Sequence, residues 1–429
     1  MKPPMNRSDL LARRDHLLGS GAPLFYEEPV HIVRGEGAWL FDANGKKYVD
    51  MYNNVPCVGH CHPHVVAAMQ KQASMLNVHS RYLHEGILDY AERLATLHAD
   101  PLTSAIFTCT GTEANEVALA IARSVTGGRG IICTDATYHG NSAEISKFTR
   151  TRQLPNGPAP DVRAIPFPET YRPLQANASE AELTELYLDE VQQAIDSFAA
   201  SGVPFAGMLI CSIFANEGLP NVPPNFVPLA ADLVRKAGGL FIADEVQSGF
   251  CRTGEWWGYE VFDFVPDIVT MGKPMGNGFP VAAVMTSEEM INTFRAERGY
   301  FNTFAASPLQ AAVGMAVLDV IENEKLRENV VEIGDYLHTK LGKFQDRLEP
   351  LADIRGHGLF IGLEWVADRA TKVPNQAGAV AIVNRLKEKG FLLSNAGAFR
   401  NVLKIRPPLV IDKSQADLFL TAFDEVTRE

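Results

Sequence analysis

Phe241-Ile242-Ala243-Asp244-Glu245-Val246-Gln247 opens as a short, continuous apolar run and ends on two acids. A run of that kind is a strand buried on both faces, as in a parallel sheet. Outward from it, Asp267-Ile268-Val269-Thr270-Met271-Gly272-Lys273-Pro274-Met275-Gly276-Asn277-Gly278 repeats the pattern and closes on a glycine-rich loop. Ala105-Ile106-Phe107, Gly130-Ile131-Ile132-Cys133 and Gly207-Met208-Leu209-Ile210 have the same character. Between these runs lie helix-like segments, Glu113 to Val125 and Leu183 to Ala200. The second carries Leu183, Tyr187, Val191, Ile195 and Phe198 at spacings of three and four. Apolar strands alternating with amphipathic helices predict an α/β core, its largely parallel sheet covered on both faces.

Around this core the chain reads differently. The first fifty residues predict a short helical arm and then strands at Val30-His31-Ile32-Val33, Trp39-Leu40-Phe41-Asp42 and Lys47-Tyr48-Val49-Asp50. Asn44-Gly45 is a hairpin turn signal between the last two. Arg152 to Glu182, rich in Pro, Ala and Asn, reads as a long surface loop. A long helix is expected from Leu309 through Glu322, and an α+β portion from Lys325 to Glu429. At 429 residues the chain exceeds one compact core, so two lobes are expected.

Fifty-one acidic against 39 basic side chains give a formal charge of −12, which disfavours nucleic acid and anionic lipid as partners. No apolar run is long enough to cross a bilayer, and no signal peptide is read in Met1 to Arg14. The six cysteines form no CxxC framework, and several sit in apolar runs. A cytoplasmic, reducing location is the expectation. Cys57, His60, Cys61, His62 and His64 superficially look like metal ligands. Their spacing is too compressed for a tetrahedral site, so no metal is expected, and Pro63 entering a helix from Val65 to Leu76 accounts for them better.

Four stretches carry chemistry. Thr110-Gly111-Thr112-Glu113-Ala114-Asn115 joins a strand to a helix with capping-box spacing. It reads as a well-capped helix whose free N–H groups could also hold a phosphate. Asp244 ends a strand at the carboxyl edge of the sheet, where a buried carboxylate needs a partner. A protonated pyridine nitrogen, an arginine or a metal would each serve, and Glu245 reads as a member of an ordinary salt bridge. Lys273 stands among glycines, ordinarily a solvated setting. Desolvated at such a turn, a lysine has a lowered pKa and can act as a Schiff-base nucleophile. In Tyr138-His139-Gly140, the aromatic ring is either a core-edge side chain or a stacking surface for a planar group.

Together these stretches resemble the class III (ω-type) aminotransferases of the fold-type I pyridoxal-phosphate enzymes. The resemblance runs from Tyr48-Val49-Asp50 and Gly59-His60-Cys61-His62-Pro63 to Leu403-Lys404-Ile405-Arg406-Pro407-Pro408-Leu409. Asn77-Val78-His79-Ser80-Arg81-Tyr82-Leu83-His84 and Phe301-Asn302-Thr303-Phe304 look like the branch containing phosphoethanolamine-type phospholyases. The resemblance implies a large domain with a mostly parallel seven-stranded sheet and a small α+β domain. Residues 1–54 would form the arm and part of the small domain, 55–320 the large cofactor-binding domain, and 321–429 the C-terminal small domain.

By the same resemblance, Lys273 carries pyridoxal phosphate as a Schiff base and Asp244 bonds the pyridine nitrogen. Gly111 and Thr112 bind the phosphate, Tyr138 stacks on the ring with His139 beside it, and Gln247 approaches the 3-hydroxyl. Thr303 would reach the phosphate of the neighbouring subunit's cofactor, implying a homodimer or dimer of dimers with shared sites. Tyr52, Glu217 and Arg400 are the substrate-side candidates, Arg400 for a carboxylate or phosphate. Two departures stand out. Ser212-Ile213 replaces the Glu-Pro pair usual after a strand, with only Glu217-Gly218 keeping the later acid and glycine. Thr112 replaces a serine of the phosphate loop.

The expected activity is amino transfer from an amine or ω-amino acid to a 2-oxo acid such as pyruvate. Elimination from a phosphoethanolamine-like amine by a phospho- or ammonia-lyase is the alternative. A cofactor-free binding protein on the same fold is a third. A dinucleotide oxidoreductase is disfavoured, because the first strand–turn–helix lacks GxGxxG.

Overall fold

The computed structural model describes residues 7–149 and 159–428. The arm is α1 (Arg7–Leu18), followed by the expected strands β1 (Ile32–Glu36), β2 (Trp39–Asp42) and β3 (Lys47–Asp50). Gly45, at φ +84°, turns the chain between the last two, its N–H donating to the Asp42 carbonyl at 3.0 Å. Helices α2 (Pro63–Ala73) and α3 (Glu85–Thr96) lead into the core.

The core follows as β4 (Ser104–Thr108), α4 (Gly111–Thr126), β5 (Gly130–Thr134), β6 (Val162–Ile165), α5 (Glu180–Ala200), β7 (Phe205–Cys211), α6 (Phe226–Lys236), β8 (Leu240–Asp244), β9 (Ile268–Met271) and β10 (Ala282–Thr286). Its seven strands lie in the order β4-β10-β9-β8-β7-β5-β6. Only β10 runs antiparallel to its neighbours. The apolar runs are continuous because alternate side chains serve opposite faces. Ile131, Leu209 and Ile242 pack on the α4 side with Ala118 and Ile121. Ile132, Met208, Ile210 and Phe241 pack on the other, against Tyr187, Val191 and Phe198 of α5 and Phe226 and Val234 of α6. Each fully buried side chain of this size contributes about 1.5–3 kcal/mol. Gly207, at φ +155°, lets β7 and β8 approach, since a Cβ there would lie 2.1 Å from the Leu240 carbonyl oxygen.

Beyond the core come α7 (Glu288–Glu297), α8 (Pro308–Asn323), α9 (Leu326–Gln345), β11 (Leu351–His357), β12 (Phe360–Asp368), β13 (Val373–Pro374), α10 (Gln376–Glu388), β14 (Phe391–Leu392), β15 (Ser394–Ala396), β16 (Val402–Ile405) and α11 (Lys413–Arg428). Strand β14 pairs parallel with β3, so the two ends of the chain share one sheet. A further sheet runs β11-β12-β16-β15, with β13 on β12.

Three expectations need correction. The loop read across Arg152 to Glu182 contains β6, and α5 begins at Glu180; residues 150–158 lie outside the described residues. The helix placed from Val65 to Leu76 runs from Pro63 to Ala73, and Cys57, His60, His62 and His64 around it have separate partners. His60 meets Asp50 at 2.7 Å, His62 meets Glu324 at 2.9 Å, and the Cys57 thiol donates to the Pro274 carbonyl at 3.3 Å. Glu245, read as a salt-bridge member, has no cationic partner among the described residues. It is fully buried and accepts from the Ser248 hydroxyl at 2.7 Å and from the Gly258 and Tyr259 N–H groups at 2.8 Å each.

Glu245→Ala strands those two backbone donors in the core. Urea denaturation should show a loss of about 2–4 kcal/mol in unfolding free energy.

Candidate active site

The carboxyl ends of β8 and β9 face the N-terminus of α4 across a cavity of about 350 Å³. Asp244 sits at its floor, 5% exposed. Its Oδ2 accepts from the Asn115 side-chain amide at 2.9 Å and meets His139 Nδ1 at 2.7 Å. Its Oδ1 accepts from the Val246 N–H at 3.0 Å. His139 is buried and engaged at both nitrogens, its Nε2 lying 2.9 Å from the Thr137 hydroxyl. His139 therefore supports the carboxylate from behind. Asn115 is held in turn: it accepts from the Thr270 hydroxyl at 2.7 Å and donates to the His139 carbonyl at 2.8 Å.

Helix α4 carries the complete capping box, with the Glu113 N–H donating to Thr110 Oγ1 at 3.1 Å and the Thr110 N–H donating to Glu113 at 3.0 Å. The box uses the donor at the third position, while the Gly111 and Thr112 N–H groups belong to the unpaired first turn beside the cavity. A helix start of this kind favours an anion. Gly111 is required there, because a Cβ would lie 2.8 Å from a Val246 methyl. Tyr138 is 40% exposed and lines the opening.

Lys273 enters from the end of β9 with φ +31°, a left-handed conformation unusual for lysine. Burial and the nearby Arg406 guanidinium push its ammonium below the usual lysine range, with Asp244 opposing. The cavity thus holds a depressed lysine amine, a buried carboxylate, an aromatic face and a helix N-terminus. That set fits a planar cationic ring bearing an aldehyde and a phosphate.

Comparison with known proteins agrees. The profile of the family described as Aminotransferase class-III matches residues 25–427. The chain belongs to the class III aminotransferases. Its cofactor is pyridoxal phosphate, and its fold is that of the family's solved pyridoxal-phosphate transaminases. It is 39% identical to a mitochondrial alanine–glyoxylate aminotransferase 2 homologue of Arabidopsis thaliana, over 97% of this chain and 86% of that one. It is 34% identical to an ethanolamine-phosphate phospho-lyase homologue of Caenorhabditis elegans, over 98% and 93%. Among solved structures, a phospholyase from Arthrobacter in complex with phosphoethanolamine superposes with a TM-score of 0.95 at 39% identity, covering 98% of this chain and all of that one.

Within this aminotransferase fold, the structure brings Gly111, Thr112, Tyr138, His139, Asp244, Gln247 and Lys273 around one cavity. Tyr52 lies close by, its carbonyl accepting from Arg406 Nε at 3.0 Å. Glu217 is buried beneath, bonded to the Thr134 hydroxyl, and burial raises its carboxyl above the usual range. Thr303 and Arg400 are exposed and stand apart from the cavity lining. Two cations escaped the sequence reading of the site. Lys404 donates to the Gln247 amide oxygen at 3.1 Å, and Arg406 donates to the same atom. Their two-residue spacing, Lys404 in β16 and Arg406 just past its end, puts them on one face, and that alternation was the available signal.

Asn115→Ala should lower turnover on the order of tenfold, about 1.4 kcal/mol in barrier, by freeing the Asp244 carboxylate. Steady-state kinetics on the cofactor-loaded variant measures this. Capture of pyridoxal phosphate by the cofactor-free protein, followed by absorbance, should speed up with rising pH. Its midpoint should lie below the 10.5 of an ordinary lysine, because the lowered pKa frees the amine at lower pH. Arg406→Gln should move that midpoint upward.

Proposed function

We propose that this protein is an aminotransferase that moves an amino group from an amine or ω-amino acid to a 2-oxo acid such as pyruvate. The observation that carries the reading is the pairing, in one cavity, of a desolvated Lys273 with an Asp244 carboxylate held by Asn115 and His139. Pyridoxal phosphate, when bound, supplies an electron sink for charge developing on the amine-bearing carbon.

The chain's own groups do the rest. Gly111 and Thr112 would hold the phosphate, Tyr138 would lie against the ring, and Gln247 would stand at its 3-oxygen. Asp244 would keep the ring nitrogen protonated, which an acid buried beside a cation does well. Lys273 would carry the group through its amine and, once an incoming amine takes that place, remove the proton from the substrate carbon. The division into a cofactor domain at 55–320, flanked by 1–54 and 321–429, belongs to this reading.

The reading includes a homodimer, or a dimer of dimers, with shared sites. Exposed Tyr82, Leu83 and Phe304 support it, beside Thr303 and the His79–Phe301 ring contact at 5.7 Å. It also includes a cytoplasmic setting, supported by six cysteines none of which forms a disulfide among the described residues.

A second reading is elimination from a phosphoethanolamine-like amine, favoured by the full-length likeness to the Arthrobacter phospholyase. Lys273 would remove the same proton. The adjacent carbon–oxygen bond would then break with phosphate as leaving group, and hydrolysis would release ammonia.

Product analysis separates the two. Amine donors with pyruvate should yield alanine, and Lys273→Ala should abolish turnover while the protein stays folded. Phosphate and ammonia released from phosphoethanolamine without an oxo acid would establish the lyase instead. Protein that stays colourless with pyridoxal phosphate would leave only a binding role.

A further inference from the structure

At the carboxyl edge of β5, β7 and β8, a second buried acid stands behind His139 and Asp244. Glu217 is 2% exposed, and Thr134 and Thr137 beside it are fully buried. Its Oε1 accepts from the Thr134 hydroxyl. Its Oε2 is buried without a well-aligned hydrogen bond, and the Thr137 hydroxyl lies within reach of the carboxyl. Thr137 Oγ1 is in turn 2.9 Å from His139 Nε2, and His139 Nδ1 is 2.7 Å from Asp244 Oδ2. Glu217, Thr137, His139 and Asp244 thus stand in one line, drawn from the ends of three neighbouring strands. Lys404 and Cys211 also face Glu217, Lys404 donating to the Ala215 and Gln247 oxygens. Glu217 forms no ion pair among the described residues, and burial raises its carboxyl above the usual range.

The line has a direction. A carboxylate only accepts, a hydroxyl carries one proton, and a neutral imidazole donates at one nitrogen and accepts at the other. Asp244 takes the Nδ1 proton of His139, so Nε2 is the acceptor and the Thr137 hydroxyl donates to it. The Thr137 oxygen is then left to accept, and the acid proton of Glu217 is the donor available. An ionised Glu217 would compete for the Thr137 proton instead, and His139 would have to donate from Nε2. Either Nδ1 would then turn a lone pair toward Asp244, or a second proton would make the ring a cation that draws on the Asp244 charge.

We propose that Glu217 is a positioning residue: as the neutral acid it orients the Thr137 hydroxyl and the His139 tautomer, which reserves the Asp244 carboxylate for the cofactor's ring nitrogen. The inference rests on the reading of this cavity as a pyridoxal-phosphate amine site and gives that site a fourth supporting residue.

The test measures the dissociation constant of pyridoxal phosphate against pH, by equilibrium dialysis, for wild-type protein, Glu217→Gln, Thr137→Val and the double variant. A carboxamide at 217 can accept from Thr134 and donate to Thr137 but cannot ionise. Wild-type protein and Glu217→Gln should agree at low pH. As rising pH ionises Glu217, the wild type should become about tenfold weaker than Glu217→Gln. Thr137→Ser should keep the wild-type profile. With valine at 137 the line is cut, and Glu217→Gln should have no further effect. The same shift in both backgrounds would mean that Glu217 acts only through its charge across space, and would overturn the inference. So would coincident profiles for wild type and Glu217→Gln.

Where a variant fails to fold, nitrogen-15 NMR of histidine-labelled wild-type protein decides. His139 should carry its proton on Nδ1 with Nε2 bare at neutral pH, and a proton on Nε2 would overturn the line. These measurements use no substrate. A loaded enzyme that turns over no amine therefore sinks the amine-site reading separately.

Discussion

A carboxylate buried at the end of a strand must be partnered, and that requirement at Asp244 organises the site. An isolated ionised acid in a low-dielectric interior costs several kcal/mol, whereas each hydrogen bond to a charged group returns about 1.5–3. Asp244 takes three such bonds, from Asn115, His139 and the Val246 backbone. Each comes from a different stretch of chain. Asn115 ties it to the first turns of α4, His139 to the loop after β5, and Val246 to its own turn. The helix whose N-terminus faces the cavity is therefore docked by the same side chain that sits at the cavity floor. Loosening the acid would shift the start of α4 as well.

Backbone strain is concentrated at the same edge of the sheet. Phe214 and Leu219 after β7, Phe250 and Cys251 after β8, and Lys273 and Asn277 after β9 all have positive φ. For residues other than glycine such conformations cost about 1–3 kcal/mol each, and they persist only where packing dictates them. Phe214, Phe250 and Cys251 are fully buried, which supplies that packing. The strands themselves are regular. The irregularity begins where they end, and it turns Lys273 away from a continuing strand toward the cavity.

This division explains what could be read from the residues in advance. Strands such as Phe241 to Asp244 announce themselves because burial on both faces demands an unbroken apolar run. Helix α4 announces itself through Thr110 and Glu113, whose capping role is local. Lys273 and Asp244 were legible because each sits where such a run stops. β6 was hidden, since four residues with a charged Arg163, set in a proline-rich stretch, carry too little periodicity. Glu245 was misjudged for a different reason: a buried acid can be satisfied by N–H groups as well as by cations, and only the folded turn at Gly258 and Tyr259 reveals the donors. The spacing of Lys404 and Arg406 puts them on one face, but they meet Gln247 from 157 and 159 positions away, and no local pattern reports that meeting.

The charge pattern of the whole molecule bears on the chemistry in a way its total does not. A chain with a formal charge of −12 keeps Lys404 and Arg406 buried on Gln247 and Arg252 buried nearby, with no ion pair formed by the three among the described residues. A surface excess of acid is screened within about 8–10 Å at physiological salt, whereas buried charges are screened much less. Lys273 and Asp244 would serve nitrogen transfer and elimination alike, because both begin with removal of the same proton. Which follows depends on whether the neighbouring carbon carries a group able to leave. The decision therefore lies with the substrate that the pocket admits, and not with Lys273 and Asp244.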